Sequence, residues 1–380
     1  MQAVLSGKPT GREDAARANL EAAMYRTFAR RALGSTAILA AALLMVACGS
    51  DSSPTEPTPT PTPDPTPTPT PTPTVEGRPI YAVDLSNKLL VFGTESAETI
   101  AKSTVISGLP PLNRIVEIDF RPSDGKLYGV GNDSRVYTID PATAEATSVS
   151  GEQFTPKIAS FFDIHFGMSF DPVTERMRLI SGDFGVNWSI DPDDGTAEAG
   201  PPVTVAEGDP HEGATLHLAG LTAVPPGLGG NSIVADGSPG AICQIVDALF
   251  LAIDPDLGAL FSTCDADAGV WESLGSFPAA LRCTQIKFDY EDGNLWLSVV
   301  ESGKQHLYKL DPFTFDVQGS VQEIPANSPI QGFAFPPAGS DASLVASALG
   351  AGAASETATA LSSVDSGSSP DLEAQCAGDS

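Results

Sequence analysis

The chain is poor in histidine, in basic residues and in aromatics, and it contains no apolar run long enough to cross a bilayer. It has only 4 histidines in 380 residues, which leaves little material for imidazole-based metal or acid–base sites. Lys and Arg total 20 against 48 Asp and Glu, a net charge of −28. Six basic and three acidic residues precede Cys48, so the rest carries 14 − 45 = −31. A chain this acidic repels phosphate backbones and anionic lipid surfaces, so nucleic acid is excluded as a partner. No Gly-x-Ser-x-Gly elbow is present and no Ser-His-Asp order can be singled out.

The apolar run from Leu33 to Ala47 falls short of the roughly 20 residues a spanning helix needs. It follows Arg26, Arg30 and Arg31 and ends in Met45-Val46-Ala47-Cys48. A basic stretch, a short apolar core and small residues before a cysteine describe a bacterial lipoprotein signal peptide. On this reading residues 1–47 are a signal segment, with Met24 a candidate true start. Lipid on Cys48 then holds the remainder to a membrane, outside the cytoplasm, in the cell envelope.

From Pro54 to Thr74 the chain is almost pure Pro-Thr alternation. Proline at every second position removes amide donors and fixes φ, which leaves an extended polyproline II stalk over residues 48–75. Some twenty such residues reach about 60 Å. Residues 340–380 are rich in Ala, Ser, Gly and Thr and are expected to form a disordered tail. One folded domain, 76–339, remains.

Within that domain two segments read almost as copies. Ile118-Asp119-Phe120-Arg121-Pro122, Gly125-Lys126-Leu127-Tyr128 and Val136-Tyr137-Thr138-Ile139-Asp140-Pro141 form the first. Met168-Ser169-Phe170-Asp171-Pro172, Arg176-Met177-Arg178-Leu179 and Asn187-Trp188-Ser189-Ile190-Asp191-Pro192 form the second. A third runs from Ile286 to Pro312, and a diverged one from Leu221 to Phe261. Short period-two runs bounded by turn residues are strands, and about four per copy is one propeller blade. Ile80–Val83 and Leu89–Phe92 look like a blade lacking its first strand, and Gly332-Phe333-Ala334-Phe335-Pro336 supplies that strand from the far end. The expectation is an all-β fold, a propeller of five four-stranded antiparallel blades. The first strands are anchored at Phe120, Phe170, Val224, Phe288 and Phe335, and the C-terminal strand closes the first blade. A β-sandwich is the rival, but it would not need the terminal strand to match the missing one.

These blocks resemble the bacterial domain-of-unknown-function family 4394 over about residues 79–337, most closely at 118–143 and 166–198. The segment Phe166–Arg178 matches the family pattern F-x-F-x-P-x-x-x-R-x-R, while the insertion from about Pro225 to Asp247 departs from it. The resemblance implies an extracytoplasmic propeller-like repeat domain and brings no catalytic residues with it.

Candidate chemistry is thin. Asp209, His211, Glu212 and His217 form one local cluster with metal-ligand side chains. Gly213 argues against a helical zinc site, and an ordinary polar loop is the simpler account. Asp163 and His165 fall on one face of a strand by alternation and could form an acid–base pair, though such pairs are mostly structural. Acidic turns at Asp191–Gly195 and Asp265–Asp267 lack the full calcium-loop spacing, so tight turns are the simpler account and no cofactor is expected beyond a weak calcium site. Arg176 and Arg178 flank Met177, and salt bridges to the acidic excess are the simpler expectation. Cys243, Cys264 and Cys283 are disulfide candidates, with Cys376 the odd partner. Four cysteines allow three connectivities, and spacing does not choose among them. The expected role is a lipid-anchored binding or structural module with a protein or glycan partner. The alternative is a metal-assisted lactonase or esterase working in the central channel.

Overall fold

The computed structural model describes residues 74–158, 166–181, 185–226, 247–276, 282–312, 314–340, 344–345 and 372–376. The signal segment, Cys48, most of the stalk, Cys243, Asp163 and His165 lie outside the described residues.

Five antiparallel sheets form a five-bladed β-propeller. Strands β1 (Pro79–Asp84), β2 (Lys88–Gly93) and β3 (Lys102–Val105) begin blade 1. Blade 2 is β4 (Ile115–Phe120), β5 (Leu127–Gly131), β6 (Val136–Ile139) and β7 (Ala146–Ser148). Blade 3 is β8 (Gly167–Phe170), β9 (Met177–Ser181), β10 (Val186–Ile190) and β11 (Ala197–Ala199). Then come β12 (Thr204–Val205) and blade 4, with β13 (Ala219–Val224), β14 (Leu249–Asp254), β15 (Ala259–Thr263) and β16 (Val270–Ser276). Blade 5 is β17 (Arg282–Phe288), β18 (Leu295–Glu301), β19 (Lys304–Leu310) and β20 (Val317–Ile324). Finally β21 (Ile330–Ala334) returns to blade 1 as its innermost strand, pairing Tyr81 with Ala334 and Ala82 with Phe333. The ring thus closes as the strand missing from the N-terminal end required.

Blade 4 departs from the four-stranded expectation. Residues Thr204 and Val205 add a fifth strand, parallel to β16 at Val270 and Trp271. The stretch between β11 and β13 covers an outer edge whose amides would otherwise stay unpaired. The segment expected as a disordered tail also contains structure, since Leu372–Cys376 form a short helix, α1, with Leu372 and Cys376 buried.

The repeated Asp-Pro motif is a turn device. The Oδ1 atoms of Asp140, Asp171, Asp191, Asp254, Asp289 and Asp311 each accept an amide two or three residues on. In five of these turns the residue four positions on has positive φ and returns its amide to the aspartate carbonyl: Ala144, Glu175, Gly195, Gly293 and Phe315. An aspartate that caps its own turn fixes the hairpin register. Phe170 therefore pairs with Met177 and Phe288 with Leu295; in blade 2 Arg121 holds this position, its carbonyl accepting Gly125 N at 2.9 Å, and Phe120 pairs with Leu127, while the insertion lies between Val224 and Leu249.

The core lies between blades. Five large apolar clusters each draw on two neighbouring blades. A side chain near the start of the second strand bridges three of the seams. Tyr81 meets Phe120 at 5.3 Å, Tyr128 meets Phe170 at 5.4 Å and Trp296 meets Phe335 at 6.1 Å. In blade 3 that position is Arg178, which reaches Asp267 of blade 4 instead.

The inner strands crowd the axis so closely that glycine is required. A Cβ on Gly167 would stand 2.5 Å from the Gly220 carbonyl carbon, and one on Gly220 would stand 2.8 Å from the Ile286 amide, with Gly220 at φ +61. Gly220→Ala is expected to cost about 2–4 kcal/mol, from left-handed strain and backbone overlap together. Urea unfolding reads this directly, and a loss below about 0.5 kcal/mol would contradict the close approach.

Candidate functional site

The axis-facing edge of every inner strand presents amides and carbonyls with no partner in its own blade, and buried backbone groups need one. Side chains of other inner strands supply it. Phe170 N donates to Asp119 Oδ2 at 3.0 Å, Ala223 N to Ser169 Oγ at 3.1 Å, and Phe288 N to Thr222 Oγ1 at 2.7 Å. From blade 5, Gln285 Nε2 reaches across to Phe166 O of blade 3 at 3.1 Å, and Lys287 Nζ donates to Met168 O. Gln331 Nε2 donates to Ile115 O. The ring centre is therefore spanned by crossing polar side chains.

Three ionisable groups meet there. Lys287 Nζ stands 3.7 Å from Asp119 Oδ2, and Glu117 is fully buried, its Oε2 accepting Ile118 N at 2.8 Å. Burial pushes the Glu117 carboxyl up to about 8, against the pull of Lys287 and the Ile118 amide. Burial raises Asp119 as well, again opposed by Lys287. None of Glu117, Gln285, Lys287 or Gln331 was singled out from sequence. The signal was polar residues alternating through inner strands, which by itself reads as a solvated face.

The sequence candidates fall elsewhere. Asp209 Oδ2 accepts the Ser273 amide and hydroxyl, and its Oδ1 lies 3.4 Å from His211 Nδ1. Glu212 accepts the Gly208 amide, and His217 Nδ1 pairs with Asp256 at 2.8 Å. Asp209 and His211 are thus neighbours, while Glu212 and His217 face other partners. Among the described residues no three His, Cys, Asp or Glu side chains gather as metal ligands. Arg176 pairs with Asp191 and Glu198, and Arg178 with Asp267. Cys264 and Cys376 are each disulfide-bonded, so the tail cysteine is not left over.

A concave feature lies at the seam between blades 5 and 1, a cavity of about 620 Å³. Arg78 positions one wall. Its guanidinium makes a two-pronged contact with buried Asp289, both arms at 3.0 Å, and donates to Pro336 O at 2.9 Å. Gln322 ties the other wall to blade 1 by accepting Ala97 N at 3.0 Å and donating to Thr94 O. Trp296 forms the floor, 4% exposed, with Lys309 Nζ 5.4 Å from its ring centre and ion-paired to Asp292 at 3.1 Å. The Trp296 Nε1 donor has no partner among the described residues. Glu95 and Glu98 stand exposed at the rim. A smaller cavity of about 330 Å³, lined by Leu260, Leu274, Leu297, Leu310 and Phe315, lies between blades 4 and 5.

The buried carboxyl at the axis has a measurable consequence. Folded Glu117 holds its proton to about pH 8, whereas the unfolded chain releases it near 4.5, so stability falls as pH rises between those values. Burial also raises Asp84, to about 6, which adds slope only in the lower part of the window. Glu117→Gln is expected to flatten the melting temperature between pH 6 and pH 8; an unchanged slope would place the titration elsewhere.

Solved structures with related folds are distant. The chain is 10% identical to a chain of a nidogen/laminin complex, covering 68% of this chain and 98% of that one with a TM-score of 0.38. A protein of unknown function from Bacteroides thetaiotaomicron is 17% identical, over 58% of this chain and 53% of that one, with a TM-score of 0.36. Regucalcin from Agrobacterium tumefaciens, a calcium-binding protein, is 12% identical over 69% of this chain and 76% of that one, with a TM-score of 0.34. No curated protein matches the chain. The profile of one family matches residues 88–334, from β2 through β21, and the chain belongs to that family, the domain of unknown function DUF4394.

Proposed function

We propose that this protein is a non-catalytic binding module of the bacterial cell envelope, held by lipid on Cys48 and raised on its Pro-Thr stalk, whose seam cavity takes a glycan. The observation that supports this reading is the cavity between blades 5 and 1. At about 620 Å³ it has the size of a small-molecule site. Its lining offers donors, among them the Lys309 ammonium and the exposed Ser320 hydroxyl, and two exposed carboxylates, Glu95 and Glu98. Hydroxyl groups both donate and accept, so a sugar satisfies both sets of groups at once. The acidic rim disfavours phosphorylated or carboxylated ligands. The stalk supports the reading further, because reach serves contact with material beyond the lipid surface.

Titration calorimetry with neutral and N-acetylated oligosaccharides tests this. Binding is expected, and Glu95→Gln with Glu98→Gln should weaken it at least tenfold, about 1.4 kcal/mol. Oligosaccharides that leave the heat unchanged, together with turnover of a lactone or ester, would overturn the reading in favour of a hydrolase. Capture of an envelope protein through the same face would replace the glycan by a protein partner.

A further inference from the structure

We infer that Lys287 and Asp119 condense into an intramolecular amide bond that braces blade 5 to blade 2 at the ring axis. Lys287 lies on inner strand β17 and Asp119 on inner strand β4. Lys287 Nζ stands 3.7 Å from Asp119 Oδ2, with the two side chains 3% and 14% exposed. The same nitrogen is held in place by donating to Met168 O of blade 3. Glu117 lies two residues before Asp119, on the same face of β4. It is fully buried, and its Oε1 has no hydrogen-bond partner among the described residues. The Lys287 charge acts on both carboxyls, so the three groups share one site. An amine beside a carboxyl, away from water, holds the reactants of an amide, and the second carboxyl is a proton carrier for the step.

The step consumes only what the site holds. A proton passes from the Lys287 ammonium to the Asp119 carboxylate, giving a neutral amine and a neutral acid. Burial favours that transfer, since it raises the Asp119 carboxyl and penalises two charges kept in a region of low dielectric. The amine lone pair then attacks Asp119 Cγ. Negative charge develops on carboxyl oxygens that already accept Phe170 N at 3.0 Å and Phe120 N at 2.9 Å. As the C–N bond forms and a C–O bond breaks, Glu117 gives its proton to the departing oxygen and takes one from the nitrogen. One water leaves, the nitrogen keeps one hydrogen, and Glu117 is restored. The exposed part of Asp119 gives that water a way out.

Blades 5 and 2 flank blade 1, where β21 and β1 close the ring. An amide between β17 and β4 joins the blades on either side of that closure, and so backs the β1–β21 pairing covalently. It also replaces an ion pair at the axis, with its desolvation cost, by a neutral group.

The full chain, denatured, reduced and digested with trypsin, tests this by mass spectrometry. A branched peptide is expected that joins the segment holding Asp119 to the segment holding Lys287, one water lighter than their sum. Trypsin does not cut after an acylated lysine, so the peptide that begins at Phe288 should be missing. Two unlinked peptides, with cleavage after Lys287, would overturn the inference and leave a simple ion pair. In Asp119→Ala the cleavage after Lys287 should return. Glu117→Gln keeps both partners and should slow linkage about a hundredfold or more, seen as unlinked peptides in freshly made protein. Linkage at the original rate in that variant would overturn the part given to Glu117. The mapping of the unaltered chain decides the bond itself even if a variant fails to fold.

Discussion

The pairing of β21 with β1 is the contact on which the rest of this molecule depends. A four-stranded blade buries its faces only against neighbours, and here every large apolar cluster is shared by two adjacent blades. An open row of five blades would leave two of those faces in water. Closing the ring with a strand from the other end of the chain removes both exposed faces in one step and makes folding depend on contacts between residues distant in sequence. Blade 1 is also the blade whose neighbouring strands β21 and β1 are not joined by a hairpin, since they come from opposite ends of the domain. The seam between blades 5 and 1 is fastened by the Arg78 contact with Asp289 and the Gln322 link to Ala97.

With five blades the inner strands come within backbone contact, as Gly167 and Gly220 show. Such an axis satisfies its backbone groups with side chains, and the consequence is the buried group of Glu117, Asp119 and Lys287. Polar atoms at the ring centre therefore serve cohesion. Room for a ligand appears farther out, where blades diverge, as at the closing seam, which is joined by residues from both ends of the domain.

Much of the fold was legible because its cause is local. Asp-Pro turns repeat with the blades, and the same aspartate geometry recurs at Asp140, Asp171 and Asp191. The anchors Phe120, Phe170, Val224 and Phe288 end the inner strands, and the displaced strand was visible as a spare copy. The site was not legible, for the opposite reason. Glu95 and Gln322 share a cavity but come from opposite ends of the domain, and no spacing rule joins them. Glu117 and Asp119 alternate with Val116 and Ile118, a pattern that reads as one wet and one dry face, whereas the apparent wet face is the ring axis. Asp209, His211, Glu212 and His217 are neighbours in sequence, yet each takes the nearest amide or carboxylate. Strand β12 is two residues long and gave no periodic signal at all.

Native-state hydrogen exchange of the full chain tests the closure most directly. If the ring stands or falls with the β1–β21 pairing, amides of Tyr81–Val83 and Gly332–Ala334 should exchange only through global unfolding, with the same free energy as the amides of β5 and β9. Exchange of the β1 and β21 amides at markedly lower free energy, with the other blades still protected, would show that the ring opens at its seam without unfolding and would contradict this account.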